Sequence, residues 1–255
     1  MNLDVEGFVR DGYVAVRGAF DAATAAACRE MIWGALRERG VREDVPAAWP
    51  PFAHIDSLGC GGPFAAAGMS PVLAAAYDEL IGAGRWTPQI YAGGAVVVRF
   101  PSEGRANAGY HIEGSYGGPG GYWVNVRSRA RGLLALLLFT DVGPDDAPTR
   151  LVCGSHRHVP EFLAPYGEAG TSADAELWRP SVLCGPVAHA TGTAGDAFLC
   201  HPFVVHTATW PHRGSAPRMI AQPAVHVRDG FALDGSDPSP VARAIVAGLV
   251  MAERS

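Results

Sequence analysis

The sequence predicts a mainly β protein with flanking helices, of the jelly-roll or barrel kind. Three observations predict it. An Ala-rich stretch stands near the N-terminus, and short runs rich in Val, Ile, Tyr and Leu, broken by Gly, Pro and Asp clusters, begin at residue 89. An apolar stretch after residue 240 closes the chain. The 255 residues suffice for one large core and no composition shift marks a linker, so the chain reads as a single domain, 1–255. Its parts are a helical segment 1–88, a β core 89–228 and a helix 240–253.

Phe8 to Val16 alternates apolar and polar residues and reads as extended chain. Asp21 is the N-cap of a helix over 22–39, and Ser70-Pro71, a cap followed by a first-turn proline, opens another that ends near Gly82. Between them, residues 45–65 hold Trp49-Pro50-Pro51 and several glycines and read as a long loop. Strands are expected at 89–100, 109–113, 121–127, 132–140, 149–153, 196–206 and 217–228, with a long insertion at 164–186.

A formal charge of −5 supplies no basic field for a phosphate backbone, so a small molecule rather than nucleic acid is the expected partner. The start MNLDVEGFVRDG lacks the basic and apolar regions of a signal peptide, and the longest apolar run, Leu133 to Phe139, is too short to span a bilayer, which predicts a cytoplasmic protein without a membrane. Cys28, Cys60, Cys153, Cys184 and Cys200 form no C-x-x-C pair and read as buried thiols. All 20 basic residues are Arg, which removes Schiff-base chemistry and the phosphate-loop and kinase lysines together. G-x-S-x-G, G-x-G-x-x-G at a strand-helix junction and H-E-x-x-H are also missing.

In YHIEG, His111 and Glu113 stand at i and i+2, the spacing that places two side chains on one face of a strand while Ile112 faces the other way. A metal needs a third ligand. The segment GDAFLCHPFVVHTATWPHRGSAPR offers His201 and His206, with Arg218 twelve residues after the second. The order His-x-acid, then GSH, then HPxxxH followed by Arg resembles the phytanoyl-CoA dioxygenase (PhyH-like) family. FVRDGYVAVRGAF (8–20) resembles that family's opening, and FTDVGPDDAPTRLVCGSHR its middle strands, so that the resemblance spans about residues 8 to 225.

The resemblance implies a double-stranded β-helix, a jelly-roll barrel, with His111, Glu113 and His206 as an Fe(II) facial triad that leaves three positions for 2-oxoglutarate and O2. It makes His201 structural. Arg218 would pair with the far carboxylate of 2-oxoglutarate, and Arg99 would meet either that co-substrate or an acid on the substrate. The implied activity is oxidation of an unactivated C–H bond in a small organic molecule, with succinate and CO2 released; hydroxylation is the default outcome, and desaturation, ring closure and epimerisation are open to the same chemistry. The family's usual acid is Asp, whereas this chain has Glu113, longer by one methylene; related oxygenases outside the family use Glu there. Halogenases of this broad class put Gly or Ala at the position, so a carboxylate implies an oxygenase.

Other readings compete. His156-x-His158 with Glu161 has the same i, i+2 geometry and a superficial likeness to a cupin motif, without the spacing to its acid. A catalytically silent β-helix protein that binds a small ligand or partner is the alternative from another class, and zinc-dependent hydrolysis a smaller one. GSYGGPGG (114–121) reads as a flexible flap beside the metal, Tyr110, Tyr116, Trp123 and Trp210 as pocket lining or core, and Thr149, Thr207 and Thr209 are left without a role.

Overall fold

Asp4 opens the first helix by accepting a hydrogen bond from the Gly7 amide at 2.8 Å, and Gly12 closes it in the left-handed region, φ 87°. This helix, α1 (Val5–Asp11), overturns the reading of Phe8 onward as extended chain; only β1 (Tyr13–Val16) is a strand. The computed structural model describes residues 3–56, 58, 61–90, 95–104, 109–173, 180–183 and 185–252. The expected helix is α2 (Ala22–Glu38), capped by Asp21 through the Thr24 amide and burying Ala25, Cys28, Ile32, Trp33 and Leu36 on one face.

The expected loop at 45–65 is a correction too. It contains β2 (Phe52–Asp56) and the start of α3 (Gly62–Gly68), followed by α4 (Pro71–Leu80) with Ser70 capping the Leu73 amide. β2 escapes the sequence because it is an edge strand with mostly solvated side chains, so no apolar alternation marks it.

The remaining elements are β3 (Ala95–Arg99), β4 (Tyr116–Gly118), β5 (Gly121–Val124), β6 (Leu133–Leu138), β7 (Arg150–Val152), α5 (Val159–Leu163), β8 (Thr171–Ser172), β9 (Val187–His189), β10 (Ala197–Cys200), β11 (His206–Thr207), β12 (Arg218–Ala221), β13 (Ala224–Val225) and α6 (Pro240–Ala252). The expected strand 196–206 is two strands in different sheets, because Pro202 has no amide to donate and the chain turns at His201–Val204. Gln222-Pro223 likewise splits 217–228 into β12 and β13. Residues 109–113 form no strand, only an isolated bridge of His111 to His206.

One sheet runs β1-β10-β6-β12-β3-β2, with β13 also on β6; a second runs β11-β7-β9, and a third β4-β5-β8. β6, LLALLL, is buried throughout because it is central and covered on both faces, which is why it reads as a continuous apolar run. Leu133, Ala135, Leu137 and Phe139 face the helices with Phe8, Ile32 and Leu73. Leu134, Leu136 and Leu138 face the other way and pack with Phe198 and Ile220 of their own sheet and Leu151 and Ala190 beside the second. The first two sheets therefore lie face to face over a small apolar core, and whatever points into that space from their ends is shielded from water. No helix among the described residues is long and apolar enough to cross a membrane.

Candidate metal centre

His111 and His206 are brought together by backbone pairing. The His111 amide donates to the His206 carbonyl at 3.0 Å and the His206 amide to the His111 carbonyl at 2.9 Å, which sets their imidazoles on one side with ring centroids 4.4 Å apart. Glu113, two residues on, shares that side, while Ile112 turns into the apolar core. Glu113 Oε1 lies 3.4 Å from His206 Nε2 and 3.7 Å from His111 Nε2. One ligand atom from each of the three residues lies within 4.8 Å of the others, the compass of a single metal ion.

Each imidazole is oriented from behind. His111 Nδ1 donates to the Gly109 carbonyl at 2.9 Å and His206 Nδ1 to the Val204 carbonyl at 3.2 Å, so both lone pairs reside on Nε2 and face Glu113. His206 is 2% exposed and its Nε2 has no hydrogen-bond partner. A buried polar atom so placed is costly unless a ligand satisfies it, and a divalent cation fits this donor set. Burial alone would raise the Glu113 carboxyl, but His111, His206 and Arg131 outweigh it and hold it well below the usual carboxylate range. Burial alone would lower His111, yet Glu113 and the Gly109 carbonyl raise it above its ordinary value.

The turn that delivers His206 is tied to the GSH segment. Ser155 Oγ accepts from the Val205 amide at 2.9 Å, and the Val152 amide donates to the Val205 carbonyl. His201 sits in the core instead. Its Nδ1 accepts from the Phe203 amide, its Nε2 contacts the Val241 carbonyl, and its ring lies 4.8 Å from that of His156. Neither His156 nor His158 joins the cluster at Glu113.

Arg218 and Arg99 stand directly opposite each other on β12 and β3. Arg218 shares its face with Ile220, and His206 pairs with Leu151, so the guanidiniums and His206 face the same space between the sheets. Arg218 is 2% exposed and Arg99 7%; Arg218 Nε and Arg99 Nε and Nη1 are buried without a partner. Arg218 Nη1 donates to the Ala147 carbonyl, and the Arg99 guanidinium lies 4.2 Å from the centre of the Trp210 ring. Burial, with the neighbouring Arg99, pushes Arg218 down to about 9, and burial pushes Arg99 down to about 10; both stay charged at neutral pH. Two desolvated cations side by side call for an anion between the sheets.

Tyr110 alternates away from His111, and its ring takes the Arg150 guanidinium at 5.6 Å, so it does not share the ligands' face. The segment 114–121 forms the β4–β5 hairpin, with Tyr116 opposite Trp123. Arg131, beside Glu113, was not singled out in the sequence; its place among Arg127, Arg129 and Arg131 in VRSRAR carries no motif. Cys28 and Cys200 are buried free thiols and Cys153 is half-buried, while Cys60 and Cys184 lie outside the described residues.

No family model matches the sequence, and neither does any curated protein. Solved structures do resemble it. SnoK, a non-haem α-ketoglutarate-dependent carbocyclase from nogalamycin biosynthesis, is 18% identical over 89% of this chain and 83% of its own, with a TM-score of 0.58. The epimerase SnoN, in complex with Fe3+, α-ketoglutarate and nogalamycin RO, is 20% identical over 88% of this chain and 81% of its own, TM-score 0.52. The nickel complex of the non-haem monooxygenase ThoJ is 17% identical over 98% of this chain and 95% of its own, TM-score 0.55. The chain has the fold of these enzymes. That fold holds Fe3+ and α-ketoglutarate in SnoN, and here it carries a candidate His-Glu-His metal site.

Proposed function

We propose that this chain is a non-haem Fe(II)/2-oxoglutarate-dependent dioxygenase of the phytanoyl-CoA dioxygenase-like kind, one domain built on a double-stranded β-helix. The observation that carries the proposal is the convergence of two Nε2 lone pairs on one carboxylate oxygen, in the same intersheet space as two buried arginines that make no ion pair among the described residues. His111, Glu113 and His206 would hold the metal, and Fe(II) with 2-oxoglutarate would supply the activation of O2, with succinate and CO2 released. The Gly109 and Val204 carbonyls keep both imidazoles in the tautomer that leaves Nε2 free. Arg218, charged and prevented from reaching water, would pair with the distal carboxylate of 2-oxoglutarate, and Arg99 adds a second positive charge beside it. The apolar faces of β6, β10 and β12 exclude water from around that ion pair. The proposed outcome is hydroxylation of an unactivated C–H bond in a small organic substrate.

Anaerobic titration tests the reading. Fe(II) followed by 2-oxoglutarate is expected to give a visible charge-transfer band, lost in His111→Ala and His206→Ala. A protein that binds Fe(II) and 2-oxoglutarate without the band, or that binds neither, is the silent β-helix protein instead.

A further inference from the structure

Arg131 reaches the candidate ligand carboxylate from the side that the histidines leave open. Glu113 turns Oε1 to the imidazoles and Oε2 toward Arg131 Nη2, 3.9 Å away. The guanidinium is fixed there, because its Nε and Nη2 both donate to the Gly114 carbonyl, at 3.1 and 2.9 Å. Arg131 is thus clamped to the peptide that follows the ligand, and a movement of the Glu113 backbone would carry its guanidinium along.

The turn that carries Arg131 is held in an unfavourable conformation. Ser128 and Ala130, neither of them glycine, have φ of 46° and 69°. Such residues persist only where their surroundings enforce them, and they gather where a side chain must be aimed. Here the enforcement is visible. Ser128 Oγ donates to the Arg131 carbonyl at 2.8 Å, the Arg129 amide donates to Asn125 Oδ1 at 3.0 Å, and His226 Nδ1 donates to the Ala130 carbonyl at 2.9 Å. A Cβ at Gly132 would come within 2.7 Å of Ile81 Cδ1 and 3.2 Å of the Val225 carbonyl oxygen, so the next residue is packed against its neighbours as well.

Glutamate has one more torsion than aspartate and can offer a cation one oxygen or both. Two oxygens would occupy a coordination position that a bidentate co-substrate and O2 require. We propose that Arg131 is a positioning residue for Glu113, holding Oε2 so that Oε1 alone addresses the metal. The inference rests on the metal-centre reading above and explains how a longer carboxylate serves in this site.

The test is Mn(II) titration of the full chain without 2-oxoglutarate, together with the Fe(II)/2-oxoglutarate charge-transfer band at saturating metal. Arg131→Leu is expected to tighten Mn(II) binding about tenfold or more, because both Glu113 oxygens can then reach the ion and a neighbouring positive charge is gone, and to diminish the band even when metal is saturating. Arg131→Lys, which keeps the charge but not the fork, should fall between. In a Glu113→Asp background the Arg131→Leu effect should shrink to about threefold or less, because the shorter arm has less freedom to swing; a purely structural role would not depend on the length of residue 113. Wild-type affinity and band in Arg131→Leu, or equal changes in the Glu and Asp backgrounds, overturn the proposal. If Arg131→Leu does not fold, the same readouts on Arg131→Lys decide it, wild-type values there counting against. A wild-type chain that binds no Mn(II) overturns the metal centre itself, and this inference with it.

Discussion

Replacing Arg218 with Met should move ligand affinity and ligand-free stability in opposite directions. The guanidinium is 2% exposed, sits opposite Arg99, and has one backbone acceptor, the Ala147 carbonyl, while its Nε has none. Asp146 contributes a favourable field, but its Oδ2 already accepts from the Gly143 amide at 2.7 Å. Methionine removes the uncompensated charge and keeps most of the volume. The lost hydrogen bond costs about 1 kcal/mol, whereas replacing buried charge by apolar volume is often neutral or stabilising by about 1–4 kcal/mol. The expected net change is therefore between zero and about 3 kcal/mol of added stability for the ligand-free fold. For 2-oxoglutarate the sign reverses, since a carboxylate that loses its buried partner forfeits about 3–5 kcal/mol, on the order of a hundredfold or more in affinity. Calorimetry on the Mn-loaded protein reads the affinity and thermal melting without ligand reads the stability. Unchanged affinity would remove Arg218 from the co-substrate site, and a melting point lowered by more than about 3 °C, roughly 1 kcal/mol for a chain of this length, would make it a structural arginine.

Three further outcomes are expected. Glu113→Ala should bind Fe(II) more weakly and release no succinate, while Glu113→Asp retains both; equal iron content in wild type and Glu113→Ala would count against the triad. His156, held down to about 4 by burial against an ordinary 6.5, favours its neutral form in the fold, so its contribution is intact above pH 6.5 and is lost as pH falls toward 4. That amounts to about 3 kcal/mol, and a thermal-stability profile of His156→Gln should be flatter than wild type over this window; parallel profiles would refute the assignment. The β4–β5 hairpin should gain hydrogen-exchange protection when metal and 2-oxoglutarate bind, given its glycines and its position after Glu113, and identical protection in both states would make it a plain connector.

Residues close in sequence were legible without the fold. His111 and Glu113 needed only the two-residue period of an extended chain, and the Asp21 and Ser70 caps needed only local hydrogen bonding, so these features were readable directly. The apolar run of β6 announced a strand covered on both faces. Short elements were not legible, because α1, α3 and β2 owe their form to what they pack or pair with rather than to their own periodicity.

What the sequence by itself determined is the identity of the candidate ligands and their order along the chain, and the absence of lysine chemistry. Only the tertiary structure decided that His111 lies opposite His206, that His206, the ligand the resemblance implies, stands at Glu113 while His201 sits apart in the core, and that Arg99 faces Arg218 across a pair of strands. It also placed Arg131 at the carboxylate, a role with no local signature, since the arginine reaches Glu113 from 18 positions away through a turn that its neighbours hold in place. The physical reason is common to all four. A strand's own period places side chains two residues apart on one face, but register between distant strands is set by the packing of both their faces, and that exists only once the chain has folded.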